Sequence, residues 1–130
     1  MDKEPVCIDT NLCIDFLRKR EPGFSQFLNV LKTYEPCITT ITTFELFMGQ
    51  FKMKRKQDIE GFIKQFLILP FDLASSKESA KLFVNLSSLG KGLDIPDIMI
   101  AGICIANKIP LLTMNLSHFS RIAELKVITP

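Results

Sequence analysis

Short apolar runs alternate with longer segments of helical period along this chain, and that alternation constrains the fold more than any other feature. Pro5 to Ile8 reads as a first strand, and Asn11 to Lys19 as a helix with Leu12, Cys13 and Phe16 turned inward. Beyond Glu21, Pro22 and Gly23, the residues Phe24, Phe27, Leu28 and Leu31 share one helix face. Pro36 to Thr39 follows as a second strand, and a helix starts near Thr42 with Phe44, Phe47 and Phe51 along one side. Asp58 to Leu67 again has helical spacing, and "ILPF" (Ile68 to Phe71) reads as a short third strand interrupted by Pro70.

Ser75 or Ser76 suits the cap of the next helix, whose apolar face would hold Ala80, Phe83, Leu86 and Leu89. Gly90 and Gly92 end it, and Pro96 suits the first turn of a helix running to about Asn107. "PLLT" (Pro110 to Thr113) and "KVIT" (Lys126 to Thr129) complete the strands. Strands that alternate with helices pair in parallel through right-handed crossovers, which cover both faces of the sheet. At 130 residues, residues 1–130 read as a single domain.

Composition removes several classes of protein. The longest apolar run, Ile98 to Ala106, is far shorter than the roughly 20 residues needed to span a bilayer. It reads as a buried helix, and no membrane association is expected. Cys7, Cys13, Cys37 and Cys104 lie in apolar segments with no CxxC pair, and no signal peptide is seen. A disulfide scaffold is therefore not expected, and a cytoplasmic location is. The net charge of +2 neither requires nor excludes nucleic acid. Locally, "KMKRK" gathers Lys52, Lys54, Arg55 and Lys56, which suits either a solvated helix face or a phosphate-steering patch.

Parallel topology puts every strand's carboxyl end, and the helix that follows it, on one edge of the sheet. Asp9 ends the first strand, and Glu45 falls in the first turn of the helix after the second. Asp94 and Asp97 open the helix that leads into the fourth strand, and Asn115 follows that strand. Ligands of open α/β sheets bind outside this edge, where the strand order reverses. Singly, Asp9, Asp94 and Asp97 also suit helix N-termini. Glu45, flanked by Phe44, Leu46 and Phe47, has no such simple role. Converging carboxylates repel one another unless a cation compensates, and hard oxygen ligands select Mg²⁺ or Mn²⁺. The chemistry expected of such a site is metal-assisted phosphodiester hydrolysis.

The blocks "VCIDTN", "ITTITTFELFMGQ", "IPDIMIAG" and "LLTMNLSHF" resemble, in order and spacing, the signature blocks of PIN-domain ribonucleases. More narrowly they resemble the VapC toxins of VapBC toxin–antitoxin systems, over about Val6 to Val127. For these blocks the resemblance implies a three-layer α/β/α sandwich with a five-stranded parallel sheet of order 3-2-1-4-5. It maps the family's catalytic acids onto Asp9, Glu45 and Asp97, with Asn115 at the fourth metal position and Asp94 assisting. Thr10, Asn11 and Thr113 match small polar positions that support the acids or their waters. The resemblance also implies an RNA substrate, a Mg²⁺ or Mn²⁺ cofactor, a homodimer and an inhibiting VapB-type antitoxin. The phenylalanines of the third helix would serve an interface or the core.

The resemblance gives His118 no part, and packing beside Phe119 is its expected role. Two other functions compete with the nuclease. A non-catalytic PIN-type scaffold would bind RNA or protein, but the intact acids argue against it. A phospho-accepting receiver would need a lysine after the last strand, where the sequence reads only "TP".

Overall fold

The computed structural model describes residues 2–53 and 58–130. Their elements run β1 (Pro5–Ile8), α1 (Thr10–Leu17), α2 (Gly23–Thr33), β2 (Glu35–Thr39), α3 (Thr40–Met53) and α4 (Ile59–Ile63). β3 (Leu67–Leu69), α5 (Leu73–Ser88), α6 (Ile95–Asn107), β4 (Leu111–Leu112), α7 (Leu116–Phe119) and β5 (Val127–Ile128) complete them. The five strands form one sheet of order β3-β2-β1-β4-β5, and every neighbouring pair is parallel. The expected fold class and strand order are those observed.

Alternation along β1 sorts the core onto two faces, because successive side chains of a strand point to opposite sides. Val6 and Ile8 pack with Leu12, Phe27, Phe62 and Phe66 under α1, α2 and α4. Cys7 points the other way, into Leu82, Leu86, Ile98, Ala101 and Cys104 under α5 and α6. Phe16 stacks on Phe27 at 4.4 Å, and Phe27 meets Phe66 edge-on at 6.1 Å, so the first face is an aromatic cluster. All four cysteines are buried and unpaired by disulfide. Among the described residues no helix is long and apolar enough to cross a membrane.

The structure departs from the sequence expectation in four places. The segment after Asp58 is helical only to Ile63, and Leu67 already belongs to β3. Turns from Gln65 N–H to Phe62 and from Phe66 N–H to Ile63 tighten the chain there and drop Phe66 into the aromatic cluster. Pro70, which has no N–H to give, lies just beyond the strand. The cap of α5 is Asp72 rather than a serine: its Oδ1 accepts from the Ser75 N–H at 2.9 Å and the Ser75 hydroxyl at 2.7 Å.

The buried face of α5 is Ser75, Ser79, Leu82 and Leu86. Ala80 is exposed, as are Phe83 and Leu89, at 46% and 66%. Close approach to α6 decides that choice, since serines fit where larger side chains would hold the helices apart. Finally, α3 starts at Thr40, so Glu45 stands in its second turn, and Phe44 and Phe51 on its outer side are 61% and 75% exposed. Phe47, between them, is half-buried against the core.

Gly102 is the point of closest approach between α6 and α5. A methyl group there would collide with the Ser79 hydroxyl and stand 2.9 Å from both the Ser75 carbonyl oxygen and the Ser79 nitrogen. Two of those atoms are backbone, so α6 would have to shift. Gly102→Ala should cost about 1–3 kcal/mol of stability, read as a lower urea midpoint. An unchanged midpoint would show that the two helices are not in tight register.

Candidate active site

From the centre of the sheet the chain steps outward to β2 and β3, then returns to place β4 on the other side of β1. Strand order reverses between β1 and β4, and Asp9 is the first residue beyond β1 at that crevice. Its backbone N–H donates to the Leu112 carbonyl at 3.0 Å, which fixes the residue against β4. The residue is 5% exposed and its carboxylate is doubly held. Oδ1 accepts from the Thr10 N–H at 2.8 Å, capping α1, and Oδ2 accepts from the Thr113 hydroxyl at 2.7 Å. Thr113, the residue after β4, also accepts from the Asn115 N–H at 3.0 Å, so one buried hydroxyl joins Asp9 to the turn into α7.

Glu45 is reached through threonines. The Thr10 hydroxyl donates to Glu45 Oε1 at 2.9 Å and lies 2.8 Å from the Thr42 hydroxyl. With Glu45 ionised, the single Thr10 proton is committed to it, so Thr42 must be the donor to Thr10. Thr42 in turn accepts from the Thr39 hydroxyl at 3.4 Å, and Thr39 accepts from the Thr42 N–H at 3.1 Å. A chain of hydroxyls with one direction thus runs from Thr39, at the end of β2, to the Glu45 carboxylate.

Asp97, in the first turn of α6, makes a 2.8 Å bond from Oδ2 to His118 Nε2. Burial raises the Asp9 carboxyl above the ordinary carboxylate value, and the negative charge of Asp97 adds to this. The bonds from Thr113 and Thr10 pull it back down. Burial likewise raises Glu45, opposed by the Thr10 bond and reinforced by Asp97 and Asp9. Asp9, Glu45 and Asp97 therefore feel one another's charge. Among the described residues no Lys or Arg pairs with any of them.

A cation suits this donor set. The donors are hard carboxylate oxygens, and burial, with charge repulsion adding to it, raises two of the three. Among the described residues no three His, Cys, Asp or Glu side chains close into a cage by themselves. Mg²⁺ does not require one, because it keeps several waters and takes only one or two carboxylates beside a phosphate.

The other residues singled out in the sequence have varied settings. Asp94 occupies the cap position of α6 without making a side-chain cap bond, is exposed, and is not among the charges that shift Asp9 or Glu45. Asn115 and Asn11 are exposed, at the starts of α7 and α1. Lys52 is exposed near the end of α3, whereas Lys54, Arg55 and Lys56 lie outside the described residues. Sequence reading passed over Thr39, Thr42 and the His118 bond. The threonines were visible as the block "TTITT", but a helix start explains that block equally well.

A family model described as "PIN domain" matches residues 6–125. A tRNA(fMet)-specific endonuclease VapC of Shigella flexneri is 27% identical over 92% of this chain and 92% of its own length. A ribonuclease VapC of Rickettsia bellii is 31% identical over 95% of each. The crystal structure of DNA-bound VapBC from Salmonella typhimurium contains a chain with TM-score 0.82 and 28% identity, matched over 99% of this chain and 98% of that one.

Burial of an acid carries a cost that can be measured. The folded state holds the Asp9 proton to higher pH than the unfolded chain does. Its contribution to stability is therefore full below the ordinary value of 3.8 and is lost as pH rises through the raised folded value. In EDTA at neutral pH, Asp9→Asn should melt above the wild type, and the gap should narrow as pH falls into the ordinary carboxylate range. Calorimetric scans across that range would show it, and a gap independent of pH would mean that Asp9 is not strained by its burial.

Proposed function

The chain belongs to the PIN-domain family, and on that premise we propose that it is a metal-dependent endoribonuclease acting as the toxin of a VapBC-type toxin–antitoxin pair. One observation carries the chemistry: Asp9, Glu45 and Asp97, far apart in sequence, interact through their charges at the crevice where strand order reverses. The relatives named as VapC nucleases supply the substrate class, RNA. The neighbouring VapBC structure supplies the partner class, a VapB-type antitoxin.

Asp9 and Asp97 would hold Mg²⁺ or Mn²⁺ together with Glu45, with Asn115 and Asp94 assisting from the rim. The bound ion supplies positive charge to a phosphoryl oxygen and lowers the pKa of water. Everything else falls to the chain. Asp9 is set in place before substrate arrives, because both of its oxygens are already bonded. Thr10 fixes Oε1 of Glu45, leaving Oε2 to face the ion or to orient the attacking water. A carboxyl raised by burial is the better proton acceptor. Thr113 keeps Asp9 and the turn into α7 in register, and Asn11 lies next to Thr10 at the same edge.

Positive charge from Lys52 near the end of α3, and from Lys54, Arg55 and Lys56 that follow in the sequence, would steer the RNA backbone. The exposed Phe44, Met48 and Phe51 on the same helix would meet the antitoxin or a second copy in a homodimer. Such a protein would work in the cytoplasm, among its RNA targets.

The purified protein should cleave RNA with Mg²⁺ or Mn²⁺ and stop in EDTA. Asp9→Asn, Glu45→Gln and Asp97→Asn should each lower kcat/KM about 100-fold or more, with circular dichroism unchanged. Full cleavage in EDTA would overturn the metal, and full cleavage by all three variants would overturn the site. A separate measurement concerns the basic run. Replacing Lys52, Lys54, Arg55 and Lys56 with Gln should weaken RNA binding and reduce the salt slope by about 0.7 for each phosphate that is no longer neutralised. An unchanged slope would assign the run to ordinary solvated surface.

A further inference from the structure

His118 is the single histidine of the sequence, and it is held from two sides. Nε2 bonds Oδ2 of Asp97 at 2.8 Å. The ring stands edge-on to Phe119, with centroids 5.2 Å apart at 89°. Phe119 is 1% exposed and packs in the same core cluster as Ile98 of α6, so the backbone that carries His118 is anchored beside the helix that carries Asp97.

A His–Asp pair that is partly open to solvent adds little to stability. Its side chains are 24% and 28% exposed, so tethering is a weak reason for the pairing. The bond has a sharper local effect. Asp97 sits on the first turn of a helix, where a carboxylate held by nothing would rotate about its own side-chain bonds. With Oδ2 committed to the imidazole, that rotation stops and Oδ1 is left as the free oxygen. A ring carrying its proton on Nε2 is sufficient, so the bond needs no change of charge. It also removes Nε2 from any direct role toward substrate.

We propose that His118 is a positioning residue, whose bond to Oδ2 of Asp97 presents Oδ1 to the divalent cation shared with Asp9 and Glu45. The inference rests on the metal-dependent reading above, and it assigns to α7 a part that neither its length nor its sequence suggests. Partners that orient a metal's ligands typically change metal affinity 10- to 100-fold when removed.

The test is calorimetric titration of Mn²⁺, without RNA, into metal-stripped wild type, His118→Ala, His118→Gln and Asp97→Asn, with melting in EDTA alongside. His118→Ala should bind Mn²⁺ about 10-fold or more weakly. His118→Gln, whose amide N–H can stand near the place of Nε2, should recover most of the affinity. Melting in EDTA should differ little among these variants, and cleavage by His118→Ala should return at high Mn²⁺. If His118→Ala binds as the wild type does while Asp97→Asn is weakened, the positioning role fails and the metal site stands. If Asp97→Asn also binds as the wild type does, the metal reading fails and takes this one with it. If His118→Ala and His118→Gln weaken Mn²⁺ binding equally and both lower melting in EDTA, His118 is a structural tether only.

Discussion

The bond between the Thr113 hydroxyl and Asp9 Oδ2 spans the place where the sheet reverses its strand order, and the site is arranged around it. A carboxylate this deeply buried is unfavourable unless its oxygens are satisfied. Thr113 and the Thr10 N–H provide that satisfaction from β4 and from α1. Asp9 can therefore stay at the crevice only if β1 and β4 are adjacent. The β1–β4 register, with Ile8 beside Leu112, is what sets Thr113 next to Asp9.

From that fixed acid the other two are placed by different means. Glu45 is governed by hydroxyls, through a buried chain that begins at Thr39, the last residue of β2, and passes through Thr42 and Thr10. Asp97 is governed by the packing of α6 on α5, tight at Gly102, and by His118 on a helix that the fourth strand delivers. Burying these acids works against stability at neutral pH. The Asp9 and Glu45 carboxyls are raised by burial, and the charge of Asp97 adds to both. A protein selected only for stability would not retain that arrangement, and one that recruits a cation gains affinity from it.

Much of this was legible in the sequence, for reasons that can be named. The alternation of short strands with amphipathic helices specified a parallel sheet, and the family resemblance of the four motif blocks implied the strand order that is observed. Phases of helices were harder to read. On α5 the apolar pattern pointed to Phe83 and Leu89, yet Ser75 and Ser79 are buried instead, because the close approach of α6 outweighs hydrophobicity there. On α3 the phenylalanines suited an interface or the core, and they divide: Phe44 and Phe51 are exposed, while Phe47 is half-buried against the core. The boundary between α4 and β3 was missed because a tight turn at Phe66 interrupts the helical period.

What the sequence determined by itself is the set of periodicities and the kind of chemistry: short apolar strands, helices between them, and acids at strand and helix ends. These are local properties, set by side-chain spacing and by residues a few positions apart. Only the tertiary structure decided which polar atoms meet. Thr113 reaches Asp9 across 104 positions, Thr10 reaches Glu45 across 35, and His118 reaches Asp97 across 21. Hydrogen bonds act over about 3 Å, and at that range the partners of each acid are chosen by packing and register, which no local spacing encodes.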